Sequence, residues 1–362
     1  MSLADSSAAP LSYTTVAVVS TGAYAEHFIK ALLQCKTFSK VRAVTRSPSD
    51  TDADADKRKR LAELRALGAD IYEYAEGTAD AFRRAFDGFE IVVSAVGVSA
   101  VLTQMDMIDG AIAAGVKWFL PSEFGVAHYP SRHLPLKGPL DHMVDVQQYL
   151  QEKAPASGLA YTIVYTGLAM DYLNPQSIGL IVNKREAVLV GRGGAKVSFT
   201  TLADTVKLLI EILRRPAEMQ NRTIRYAGST TNMRELVKLV TGNDRGENVR
   251  ILSVDEAKAR LCELAHKKDV MAFFMYCRIL IEEGLAQIDR NPDERLDNGL
   301  FPDIKPEHIF ETLTRLINAS QPGKSPSIGA GADASAETGA QGGAVSSSMA
   351  SSGKKPVSPA AE

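Results

Sequence analysis

Between residues 13 and 318, short apolar runs alternate with longer stretches in which apolar side chains recur every three or four positions. Runs of the first kind suit strands covered on both faces, and stretches of the second suit helices lying on them. Residues 16–19 (VAVV), 41–45, 71–74, 91–94, 118–120 and 161–167 (YTIVYTG) are the predicted strands. Residues 24–35, 56–67, 78–86 and 141–150 are the predicted helices, and Thr78 offers a hydroxyl to cap the third. Residues 179–194 read as hairpin-like, and MAFFMY at 271–276 falls on a late helix. Strict alternation of strand and helix predicts an α/β fold, a Rossmann-type doubly wound parallel sheet joined by right-handed crossovers.

The division that follows is a flexible N-terminus at 1–12 and a dinucleotide-binding domain at 13–165. A smaller C-terminal substrate lobe at 166–318 has segments returning to the first domain, and a tail runs over 319–362. The tail is almost entirely Ser, Gly, Ala, Pro and scattered charge, with no aromatic side chain to anchor packing, so disorder is expected.

At 362 residues and 45% hydrophobic, the chain can bury a large core. A formal net charge of −2 provides no global field for nucleic acid or an anionic membrane. No apolar run approaches the roughly 18 residues of a membrane span. Cys35, Cys262 and Cys277 are too sparse for a disulfide framework and favour a reducing compartment, while the six histidines lack metal-ligand spacing. The opening MSLADSSAAPLSY has no basic and apolar leader pattern, so the expectation is a cytoplasmic protein without a metal, acting on a small molecule.

Residues 91–125, IVVSAVGVSAVLTQMDMIDGAIAAGVKWFLPSEFG, carry the most information. Two buried strands empty at one sheet edge, the first into Ser94-Ala95-Val96-Gly97 and the second into Pro121-Ser122-Glu123-Phe124-Gly125. The carboxyl edge of an open α/β sheet is where ligands bind.

VKWFLPSEFG at 116–125, with SAVG at 94–97 and Gln104 on the next helix, resembles the NmrA-like and isoflavone-reductase-like group of atypical short-chain dehydrogenase/reductases. The resemblance covers about residues 13–318. It implies a dinucleotide cofactor across the strand edge and hydride transfer to a small carbonyl or enone, aromatic or of secondary metabolism. It also implies a GxxGxxG phosphate turn and a catalytic lysine on the helix after PSEFG, and the sequence departs from both. The turn is Val19-Ser20-Thr21-Gly22-Ala23-Tyr24-Ala25, with one glycine remaining, so Ser20, Thr21, Gly22 and the Tyr24 amide are the candidate phosphate contacts. Met143 or a neighbour stands at the lysine position, leaving Lys137 and His142 as candidate proton-handling groups.

Arg46 ends the second strand where an NAD enzyme would place an acid, which favours NADPH over NADH. Ser94, Val96 and Gly97 are expected under the adenine ribose and diphosphate, with Pro121, Ser122 and Phe124 toward the nicotinamide. Glu123 reads as a turn-capping residue. Leu168, Met170 and Tyr172, with 271–276 as a roof, are candidate pocket lining. The rival reading is a dinucleotide-binding, redox-sensing regulator that contacts a protein partner without turnover. Oligomeric state is open.

Overall fold

The computed structural model describes residues 13–49, 51–127, 139–169, 171, 175–267 and 271–320. Its first half alternates β1 (Thr15–Val19), α1 (Ala23–Gln34), β2 (Lys40–Arg46), α2 (Ala55–Ala66), β3 (Asp70–Tyr74), α3 (Ala79–Phe86), β4 (Ile91–Ser94), α4 (Gln104–Ala113), β5 (Trp118–Leu120), α5 (Pro139–Ser157) and β6 (Ala160–Tyr165). The chain continues through β7 (Leu180–Ile181), β8 (Glu186–Val190), β9 (Lys196–Phe199), α6 (Leu202–Leu213), α7 (Pro216–Met219) and β10 (Arg222–Arg225). Then come β11 (Ser229–Asn232), α8 (Met233–Thr241), β12 (Val249–Leu252), α9 (Val254–His266), α10 (Met271–Glu282) and α11 (Ile309–Ala319).

Seven strands form one parallel sheet in the order β10-β6-β5-β4-β1-β2-β3. This is the doubly wound Rossmann-type arrangement that the alternation predicts. The strand order reverses between β1 and β4, and in open α/β sheets ligands bind outside the carboxyl edge at such a reversal. Both sheet faces are covered, as the continuous apolar runs require. Val16, Val18, Trp118 and Leu120 join Phe28 and Ile29 of α1 and Leu209 of α6 on one side. Ala17, Val19, Val92 and Phe119 join Phe82 of α3, Ile108 of α4 and Leu150 of α5 on the other. The indole nitrogen of Trp118, buried in the sheet, donates to Thr162 Oγ1 at 2.9 Å.

Local chemistry sets several boundaries. Thr78 caps α3, its hydroxyl accepting from the Ala81 amide at 3.3 Å. The predicted strand 161–167 stops at Tyr165 because Gly167 adopts φ 74°, and a Cβ there would lie 2.2 Å from the Ser198 carbonyl oxygen. The predicted helix 141–150 proves to be part of a 19-residue α5 that tolerates Pro155 near its end. Residues 179–194 contain an antiparallel pair, β7 with β8, and β12 adds to β8 in parallel. Later segments return to the large sheet, since β10 pairs with β6 and the α6 side chains enter the core beside α1. The described residues belong to one compact unit spanning 1–328. The tail expected to be disordered lies outside the described residues, apart from its first two positions. Among the described residues no helix is long and apolar enough to cross a membrane.

Candidate functional site

Two turns meet at the strand-order reversal. The Ala95 amide donates to the Val19 carbonyl at 3.0 Å, which lays the turn after β4 directly beside the turn after β1. Gly22 is the N-cap of α1 and, having no side chain, makes no side-chain capping bond to the first amides of that helix. A Cβ at Gly22 would meet only Ser20 Oγ, at 3.6 Å, and one at Gly97 would meet nothing within 4 Å. Both glycines have ordinary negative φ, at −62° and −73°, so neither is required by the chain's own geometry. Glycine at such positions leaves room for something else to approach the backbone.

The side chains of the first turn face different ways. Ser20 takes φ 113°, donates its amide to Val44 O at 2.9 Å and accepts from the Gly22 amide through Oγ at 3.1 Å. Thr21 is buried, and its hydroxyl is hydrogen-bonded to that of Thr45 at 3.2 Å. The Tyr24 ring stacks on Phe124, centroids 5.4 Å apart and planes within 3°, tying the start of α1 to the PSEFG turn.

Arg46 is exposed at the end of β2, opposite Tyr74 of β3. Asp54, the acid that its charge influences, is engaged by the Ser49 amide at 2.6 Å and hydroxyl at 2.5 Å. Those bonds from Ser49 are the main reason the Asp54 carboxyl is held below its ordinary range. Among the described residues Arg46 makes no ion pair.

The PSEFG turn is anchored from below. Fully buried Gln104 accepts from the Ser122 amide at 2.8 Å, while Ser122 Oγ donates to the Val96 carbonyl at 2.8 Å. The other end of the amide, Gln104 Nε2, is buried with no hydrogen-bond partner among the described residues. Ser94 is buried and donates to Met107 Sδ at 3.7 Å. Pro121 and Glu123 are buried too, and Glu123 lies inside the turn, its carbonyl accepting from the Gly125 amide at 2.6 Å.

Of the two proton-handling candidates, Lys137 lies outside the described residues. His142 is half-exposed on α5, with Nδ1 3.7 Å from Asp145. Met170 and Tyr172 also fall outside the described residues, whereas Leu168 is half-buried beside Phe199. On α10, Met275 and Tyr276 pack in the cluster with Leu261 and Leu264 of α9.

The profile of the NmrA-like family matches residues 12–278. The chain belongs to the NmrA-like family. An NmrA-like family domain-containing oxidoreductase of Gibberella moniliformis is 24% identical over 210 residues, 56% of this chain and 67% of the relative. The isoflavone reductase homolog P3 of Arabidopsis thaliana is 28% identical over 211 residues, 56% of this chain and 65% of the relative. The matched part thus spans about two thirds of the length of these curated relatives. In fold, the NmrA-like chain superposes on the leucoanthocyanidin reductase–NADPH binary complex of Vitis vinifera with TM-score 0.67 at 19% identity, covering 84% of this chain and 99% of the other.

This NmrA-like site holds two polar residues that the sequence reading passed over. Gln147 Nε2 of α5 donates to the Tyr165 hydroxyl at 2.8 Å, at the carboxyl end of β6. Thr166 and Gly167, directly after Tyr165, both donate to the Gly125 carbonyl, at 3.0 and 2.9 Å, so Tyr165 ends beside the PSEFG turn. The signal was present in YTIVYTG, whose second tyrosine falls at the strand's carboxyl end. Gln147 becomes visible only once the facing side of α5 is known.

Proposed function

We propose that this NmrA-like protein is an NADPH-dependent reductase that delivers hydride to the carbonyl or enone of a small aromatic or secondary-metabolite molecule. The paired turns carry this reading: Gly22 and Gly97 leave open space over the backbone at the strand-order reversal, with exposed Arg46 at the neighbouring strand end. Bound NADPH supplies the hydride, as cofactors do in this kind of chemistry. The NADPH held by the leucoanthocyanidin reductase of like fold supports the same choice.

The residues divide the work by position. Gly22 and the first amides of α1 receive the diphosphate, with Ser20, Thr21 and Tyr24 shaping the turn. Arg46 takes the 2′-phosphate. Ser94, Val96 and Gly97 run beneath the adenine ribose and diphosphate, and Pro121, Ser122 and Phe124 border the nicotinamide end. The Tyr165 hydroxyl, oriented by Gln147, gives the proton to the developing oxyanion and regains one from water. His142 and Lys137 are the alternative proton sources.

Turnover tests the reading: the full chain and NADPH are offered aromatic aldehydes and enones, and loss of nicotinamide absorbance is followed. Oxidation of NADPH matched by reduced product supports a reductase. Tight NADPH binding without turnover across the panel supports the redox-sensing regulator, which Ser20 favours because its hydroxyl already occupies the Gly22 amide. Arg46→Glu is expected to weaken NADPH about tenfold more than NADH, the loss of about 1.4 kcal/mol. An unchanged ratio of the two affinities removes the 2′-phosphate assignment.

A further inference from the structure

Arg278 of α10 is only 8% exposed, yet among the described residues it makes no ion pair. Its Nη2 donates to the Gln176 carbonyl at 2.5 Å, and its Nε is buried without a partner. Immediately beside that carbonyl, Ser177 is 2% exposed, and its buried hydroxyl also has no hydrogen-bond partner among the described residues. Both groups lie where α10 packs on the 3-10 turn Pro175–Ile178.

A buried cation is costly unless an anion or a full set of acceptors faces it. The nearby acids of α10 and its end are engaged elsewhere: Glu282 accepts from the Arg192 and Gly193 amides at 2.7 and 2.8 Å, and Glu283 pairs with Lys258 at 2.9 Å. Nor does the adjoining Cys277 supply a counter-charge, because burial pushes its thiol up to about 12 and keeps it neutral. One carbonyl oxygen is a thin environment for a guanidinium with five N–H donors.

We infer that Arg278 and Ser177 form a carboxylate-binding site in the seam between α10 and the 175–178 turn. The planar guanidinium suits a carboxylate, with the hydroxyl as an added donor. Ile178 belongs to the same hydrophobic cluster as Val126, which directly follows the PSEFG turn. A carboxylate can arrive as part of the reduced molecule or as a separate effector. The first alternative rests on the reductase reading; the second does not.

The test uses the full chain, with benzoate as the anionic probe and benzamide as its neutral counterpart. Calorimetry without cofactor is expected to show benzoate binding at least tenfold tighter than benzamide. Arg278→Gln should abolish that preference, Arg278→Lys should retain part of it, and Ser177→Ala should weaken benzoate several-fold. Equal binding of the two probes, binding of neither, or a Ser177→Ala protein with unchanged benzoate affinity overturns the site. Should both Arg278 variants fail to fold, Ser177→Ala and the anomalous signal of 4-bromobenzoate in a crystal still decide it.

Two further arms separate the sources. If the carboxylate belongs to the substrate, 4-carboxycinnamaldehyde should show a lower KM than cinnamaldehyde with NADPH, and Ser177→Ala should narrow the difference. If it belongs to an effector, benzoate binds while both aldehydes turn over alike. Because the benzoate titration needs neither turnover nor NADPH, its outcome stands apart from the fate of the reductase assignment.

Discussion

Ser20 or Val19 stands near the first glycine of the family's phosphate turn, and it is Ser20 whose backbone keeps a φ of 113° that suits glycine. Its hydroxyl accepts from the Gly22 amide, one of the donors that a phosphate would otherwise meet. Ser20→Gly should therefore do two things at once. Relief of the backbone should raise stability by about 1 kcal/mol, net of the entropy of a new glycine, read as a higher urea midpoint. The freed amide should tighten NADPH several-fold by calorimetry, and weaker binding would count against the phosphate assignment. Tyr165→Phe tests the other end of the crevice: it should lower kcat by about 100-fold or more with NADPH affinity unchanged, since only the proton donor is lost. A kcat within threefold of the parent would pass the role to His142 or Lys137. The loss of the first glycine, with Ser20 or Val19 near its place, was legible in the sequence. The direction of the serine hydroxyl was not, because a side-chain rotamer depends on the amide it finds.

Elements were read best where one chemical signal fixes them, as with the Thr78 cap or the IVVS run that empties into SAVG. They were read worst where tertiary packing decides. The length of α5 and the face carrying Gln147 depend on its fit against α4 and β6. The close approach of α3 and α4 has the same origin. A Cβ at Gly110 would lie 2.6 Å from Phe82 Cβ, 2.8 Å from the Ala79 carbonyl oxygen and 2.9 Å from the Arg83 nitrogen. Alanine in a helix interior ordinarily gains about 1 kcal/mol over glycine. Here overpacking costing about 1–3 kcal/mol or more, much of it against backbone, should win. Gly110→Ala is thus expected to lower the urea midpoint, and a raised midpoint would show that α3 can move away from α4.

For the whole molecule, the order of apolar runs was enough to foresee a parallel sheet with its crevice at the carboxyl edge. What binds there was less legible, because contacts to a ligand come from turns whose backbone amides look alike in sequence. The open space over Gly22 and Gly97 and the exposed Arg46 come to neighbouring strand ends, those of β1, β4 and β2, only after folding. If these strand ends hold NADPH, chosen by its 2′-phosphate, the two reduced dinucleotides should differ in affinity. Calorimetric titration of the full chain with NADPH and, separately, NADH tests it most directly. The expected result is one NADPH per chain, bound at least tenfold tighter than NADH, a preference that Arg46→Glu removes. No NADPH binding at millimolar concentration, or equal affinity for the two dinucleotides, would contradict it.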